Sequence, residues 1–193
     1  MKKQVGLFSG SFNPIHVGHL ILPNYMCAFT YLDEVWFVVS PQNPLKEASD
    51  LLDDNIRLKM TKLALADYEK LFVSDIEFSM PRPSYTIDTL TKLSLEHPDK
   101  EFTLIIGADN WRDFPRWKEY ERIRRDFRIL IYPRLGEEVV IDEAFRENVC
   151  LVNAPIVEVS STFIRKSIQA GKNVRAFVPA KVYDFVEENG LYR

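Results

Sequence analysis

The chain is poor in the features that fix a protein's class by themselves. Its two cysteines, Cys27 and Cys150, stand far apart in 193 residues. They can form neither a disulfide framework nor a zinc-like cysteine spacing. Each lies in an apolar stretch, so both are expected to be buried free thiols. Glycine is scarce, with seven residues, and none falls in G-x-x-x-x-G-K-[ST] or G-x-G-x-x-G. A P-loop and a dinucleotide fingerprint are therefore excluded, and no G-x-S-x-G elbow marks a hydrolase serine. No apolar run approaches the roughly 20 residues of a membrane helix. Met1-Lys2-Lys3-Gln4 leads into a short apolar run rather than a signal peptide's long one, so the expected location is the cytoplasm. Positive charge is not in excess: 25 Lys and Arg stand against 28 Asp and Glu, a net charge of -3. That leaves no global basic field to attract nucleic acid.

What is present is alternation. Short runs, apolar throughout or nearly so, fall at 5–8, 35–39, 71–73, 102–106, 127–132 and 150–152. Between them lie amphipathic segments at 20–32, 55–66 and 84–96, and two more at 162–170 and 180–188 near the end. Strands that are apolar on both sides, alternating with helices, predict a parallel sheet covered on both faces. The expected fold is α/β: a Rossmann-like, doubly wound parallel sheet with a small C-terminal helical part from about residue 160 to 193. A single domain over 1–193 suits this length. Ligands in such sheets bind at the carboxyl ends of the strands near a switch point. Residues 9–19, 40–46, 107–109 and 132–134 would share that rim.

Two clusters carry chemistry. Ser9-Gly10-Ser11-Phe12-Asn13-Pro14-Ile15-His16-Val17-Gly18-His19 joins the first strand to a helix and holds two of the chain's three histidines. Small residues that let the backbone approach an anion, a helix N-terminus and two imidazoles make a phosphate cradle. The histidines lack an obvious third partner for a metal, so no protein metal site is expected. Far downstream, Ser160-Ser161-Thr162-Phe163-Ile164-Arg165 combines a helix cap with a guanidinium one turn in. Alone it would also fit a capped surface helix.

Together, the strand-terminal G-x-F-x-P-x-H-x-G-H and the downstream S-S-T-x-I-R resemble the nucleotidyltransferase superfamily. Ser84-Tyr85-Thr86-Ile87-Asp88-Thr89-Leu90, Gly107-Ala108-Asp109-Asn110, Trp117 and Pro44-Leu45-Lys46 narrow the resemblance. They are similar to segments of the bacterial nicotinate-nucleotide adenylyltransferases. The chain departs from that pattern at Asn13, where the family usually has Asp, and at Ser11, where it often has Thr.

The resemblance implies transfer of an adenylyl group from ATP to nicotinate mononucleotide, giving deamido-NAD and pyrophosphate, with Mg²⁺ carried on the ATP phosphates. It implies catalytic roles for His16 and His19. ATP would be held by these together with Gly10, Ser11, Phe12, Gly107, Asp109, Ser161, Thr162 and Arg165. Lys46, Thr86, Trp117 and Arg134 would hold the mononucleotide. Asp109 also fits a helix cap, and Trp117 a core ring. Two other functions stay open: a sister adenylyltransferase using nicotinamide mononucleotide or another phosphate acceptor, and a module that senses nucleotide without turnover. Neither a nucleic-acid nor a membrane partner is expected, and a homo-oligomer is compatible with the sequence.

Overall fold

The structure is a computed structural model that describes residues 1–42 and 51–193. Six strands form one sheet: β1 (Lys3–Gly10), β2 (Glu34–Val39), β3 (Leu71–Ser74), β4 (Lys100–Gly107), β5 (Arg128–Tyr132) and β6 (Val149–Leu151). Their order is β3-β2-β1-β4-β5-β6, and every neighbouring pair is parallel. The chain winds outward from β1 to β3, then crosses back to β4 and winds the other way. The switch point therefore lies between the carboxyl ends of β1 and β4, at Gly10 and Gly107.

Alternate side chains of each strand enter two cores. On one face Phe8, Phe37 and Leu130 pack with α1 (Val17–Phe29), α2 (Asp54–Leu65), α6 (Ser161–Gln169) and α7 (Ala180–Glu188). On the other, Leu7, Leu104 and Ile131 pack with α3 (Thr86–Glu96) and α5 (Tyr120–Asp126). The short α4 (Ala108–Asp113) follows β4 directly. This is the expected Rossmann-like, doubly wound α/β architecture. Among the described residues, no helix is long and apolar enough to cross a membrane.

The differences from expectation have local causes. Helix α1 begins at Val17, three residues before the apolar pattern does, because His16 caps it. Helix α6 begins at Ser161 because Ser160 is its cap, its hydroxyl accepting the Phe163 N–H at 3.1 Å. The expectation that both cysteines are buried is corrected. Cys27 is half-buried, and Cys150 is exposed because β6 is an edge strand with only Val149 turned inward.

Candidate active site

The histidine motif is shaped from below. After Gly10 the chain turns through Phe12, whose φ of 45° lies in the left-handed region. Its ring is 1% exposed and meets His19 edge-on at 5.1 Å. Phe12 thus faces the core and supports an imidazole rather than facing the crevice. His16 and His19 stack with centroids 3.6 Å apart. The His16 backbone N–H donates to His19 Nδ1 at 3.2 Å. An Nδ1 that accepts leaves the imidazole proton on Nε2, so the bond assigns His19 the tautomer with an Nε2–H donor. Burial, and then the charge of Arg134, push the His16 pKa from 6.5 down to about 4, so His16 is neutral at pH 7. Gly18 leaves room for that ring, since a Cβ there would lie 3.1 Å from the His16 imidazole and 3.3 Å from Val157.

The second motif closes on the first from the far end of the chain. Ser161 Oγ donates to the Pro14 carbonyl at 2.8 Å, and Arg165 Nη1 donates to the Asn13 carbonyl at 2.9 Å. Thr162 stands exposed beside them, 3.5 Å from Arg165 Nη2. Gly10 and Ser11 line the same turn. Asn13 itself is 1% exposed, and its Oδ1 accepts from the Tyr192 hydroxyl at 2.8 Å and the Leu52 N–H at 3.4 Å. Burial holds the Tyr192 phenol above its ordinary pKa of 10, so it remains a donor. Asn13 therefore joins loops inside the protein. A neutral oxygen serves there, whereas an ionised carboxylate would need stronger compensation.

Across the crevice, Asp109 lies in the first turn of α4, and the cap is Gly107. A Cβ on Gly107 would fall 2.3 Å from Asp109 Oδ1, so this approach requires glycine. Arg134 donates to the Tyr132 hydroxyl at 3.3 Å. Its Nε is 3.7 Å from Asp109 Oδ1, an ion pair too long for a hydrogen bond. Trp117 is half-buried and packs against Phe114 at 5.5 Å. Thr86 opens α3, whose N-terminus has no side-chain cap. The neighbouring Ser84 and Thr89 hydroxyls instead donate to buried Glu77, at 2.7 and 2.8 Å. Lys46 lies outside the described residues.

Three buried atoms without a hydrogen-bond partner gather here, His16 Nδ1, Asp109 Oδ1 and Arg134 Nε, and Trp117 Nε1 is a further such atom. Such atoms are rare in finished interiors. Three around one crevice suit a polar ligand with both donors and acceptors. The imidazoles, hydroxyls and guanidinium fit phosphate oxygens rather than a bare cation. Among the described residues, no group of three or more His, Cys, Asp or Glu could hold a metal ion.

Of the residues singled out in the sequence, His16, His19, Ser161 and Arg165 come together at one side of the crevice, and Asp109 and Arg134 pair at the other. No sequence signal marked Arg57, Glu77 or Tyr192, which hold the surrounding loops from within.

Comparison with known proteins gives the family and the fold. The cytidylyltransferase-like family profile matches residues 7–167. A Bacteroides thetaiotaomicron protein named "Probable nicotinate-nucleotide adenylyltransferase" is 50% identical over 187 residues, covering 97% of this chain and 92% of its own. A Flavobacterium johnsoniae protein of the same name is 47% identical over 191 residues, covering 98% of this chain and 99% of its own. A solved structure, Plasmodium falciparum nicotinic acid mononucleotide adenylyltransferase complexed with NaAD, shares the fold with a TM-score of 0.81. Its identity is 22%, covering 98% of this chain and 97% of that one.

Proposed function

The chain belongs to the nicotinate-nucleotide adenylyltransferases, within the cytidylyltransferase-like family, and from that premise we propose that it joins ATP to nicotinate mononucleotide, forming deamido-NAD and pyrophosphate. A 5′-phosphate oxygen of the mononucleotide attacks the α-phosphorus of ATP. The bond from that phosphorus to the bridging oxygen breaks, and pyrophosphate leaves. The attacking phosphate is already ionised near neutral pH, so no protein nucleophile or strong base is required. The protein's work is to align the two phosphates and to stabilise charge as it develops.

The observation that carries this reading is the closure of α6 on the histidine motif: Ser161 and Arg165 bonded to the carbonyls of Pro14 and Asn13, beside two stacked imidazoles. His19 Nε2–H donates to an α-phosphate oxygen as the transition state forms. His16, neutral, fills the second donor position without charge. Arg165 through Nη2, the Thr162 hydroxyl and Ser161 through its backbone N–H, with the backbone around Gly10 and Ser11, hold the β- and γ-phosphates, while the Ser161 hydroxyl and Arg165 Nη1 keep the Pro14 and Asn13 carbonyls in place. Phe12 sets the height of His19. Asp109, beside Gly107, accepts from the adenosine ribose. Arg134 and Lys46 take the mononucleotide phosphate, and Trp117 stacks on its ring. Thr86 and the uncapped start of α3 receive the ring carboxylate. A divalent cation, Mg²⁺, bound by the ATP phosphates rather than by a protein cage, would offset phosphate charge. A cytoplasmic setting belongs to the same reading.

The test is pyrophosphate release with ATP and each of two mononucleotides in turn. Faster turnover of the nicotinate form is expected. No release with either mononucleotide would overturn the reading, and a preference for the amide would reassign the acceptor.

A further inference from the structure

Among the described residues, one cation is fully buried behind the histidine turn. Arg57, on α2, is 0% exposed. Its guanidinium has five N–H donors, and the structure gives five acceptors. Nε donates to the Leu52 carbonyl at 2.9 Å, and Nη1 to the carbonyls of Ser11 and Ser40 at 2.6 and 2.8 Å. Nη2 donates to the Pro41 carbonyl at 3.3 Å and to Asp54 Oδ1. Asp54 is held in turn by Arg82 at 2.7 Å.

The four carbonyl acceptors lie in three stretches of backbone. Ser11 belongs to the turn of the histidine motif. Ser40 and Pro41 follow β2, where the chain sets out toward Lys46. Leu52 is where that segment returns to α2. Asn13 completes the joint, taking the Leu52 N–H at 3.4 Å. Buried carbonyls need donors, and no side chain but arginine offers five in one rigid fork. A lysine offers three.

We propose that Arg57 is a positioning residue for the adenylyl transfer, a joint that sets the histidine turn, the exit from β2 at Ser40 and Pro41 and the approach to α2 at Leu52 relative to one another. The inference rests on the reading of function above. In that reading the histidine turn holds ATP and Lys46 holds the mononucleotide. Arg57 touches neither substrate, yet it fixes the frame in which their phosphates must line up. In-line transfer is sensitive to such placement: a shift of about 1 Å can cost about a hundredfold in rate. A bland alternative exists, in which Arg57 only satisfies carbonyls and adds stability. The two differ in what they do to kinetics well below the melting temperature.

The experiment compares wild type, Arg57→Lys and Asp54→Asn in pyrophosphate release, varying ATP and nicotinate mononucleotide separately. Folding is followed by circular dichroism and thermal melting. Arg57→Lys is expected to lower kcat/KM by about a hundredfold, with KM raised for both substrates. Asp54→Asn leaves the carbonyl acceptors in place and weakens one arm. It is expected to raise both KM values by about threefold, in line with a weakened charged hydrogen bond. A lower melting temperature with kcat and both KM values unchanged would overturn the inference, as would a change confined to one substrate. If Arg57→Lys does not fold, Asp54→Asn decides by the same criteria. A silent wild type would overturn the functional reading itself. An active wild type with indifferent variants would overturn only the role of Arg57.

Discussion

The two sides of the crevice are finished differently. On the histidine side, the carbonyls of Ser11, Asn13 and Pro14 are taken by Arg57, Arg165 and Ser161, and the Asn13 side chain by Tyr192 and Leu52. Among the described residues, His16 Nδ1 is the one buried side-chain atom there without a hydrogen-bond partner, whereas on the other side both members of the Asp109–Arg134 pair, through Oδ1 and Nε, lack one, as does Trp117 Nε1. A fully buried polar atom left unpaired costs about 1–3 kcal/mol, and the 3.7 Å approach of Arg134 to Asp109 offsets part of that here. In the proposed function the first side is preorganised: its groups hold their places before substrate arrives and need not rearrange as charge develops. The second gives up stability for selection, because a site with unmet donors and acceptors discriminates against ligands that cannot meet them.

The largest expected effect breaks the preorganised side directly. His19→Ala removes the proposed Nε2–H donor and should lower kcat by about 10²–10³-fold, the range for loss of one transition-state donor. Melting temperature should change little by comparison. A turnover near wild type in a folded His19→Ala protein would remove His19 from the chemistry.

The next effect is on stability and comes from His16, whose pKa falls from 6.5 to about 4 on folding because the ring is buried and faces Arg134. In the unfolded chain this histidine takes up a proton as pH drops through 6.5, while the folded one stays neutral until about 4. Unfolding thus binds the extra proton, and stability falls as pH falls across that window. The gap is worth about 3 kcal/mol in full. Urea titrations between about pH 7 and pH 4 should show a shallower loss in His16→Gln than in wild type. Equal slopes would mean that His16 is not the group responsible.

Much of this was legible in the sequence, and the limits have physical causes. The strands announced themselves because both of their faces are covered, leaving nearly unbroken apolar runs such as Leu104-Ile105-Ile106. Both clusters singled out at helix starts were legible because a cap and its helix are local. Helix α5 was not, since seven residues with Ile123 alone buried carry no usable period. The joints were illegible for a different reason. Arg57 reaches Ser11 across 46 positions, and Tyr192 reaches Asn13 across 179. Arg57 bonds chiefly to backbone carbonyls, which every residue has, so no pattern of side chains marks it. Glu77 is a nearer case: its partners Ser84 and Thr89 fall in a segment already singled out. Which of that segment's hydroxyls face inward depends on packing the sequence does not display.

A smaller effect probes the side left open. Trp117→Phe keeps an aromatic ring against Phe114 but deletes the unpartnered Nε1–H. If that donor meets the mononucleotide, its KM should rise by about 5–10-fold, the size of one net hydrogen bond. The KM for ATP should stay where it is. A mononucleotide KM unchanged by Trp117→Phe but raised by Trp117→Ala would leave Trp117 a stacking surface alone.

The smallest effect concerns residues outside both sides. Burial raises the Cys27 thiol from 9.0 to about 11, and its Sγ points to the Lys70 carbonyl at 3.8 Å. Cys150 is exposed on the edge strand. Thiol reagents attack the thiolate, so a disulfide reagent near pH 8 should modify Cys150 quickly and Cys27 slowly. Cys150→Ser should abolish the fast phase. Strand β6 is separated from the switch point by β4 and β5, so labelling Cys150 should leave kcat and both KM values unchanged. A labelled protein with a raised mononucleotide KM would show that the ligand-completed side extends beyond Arg134 to the sheet edge. The division between the two sides would then have to be redrawn there.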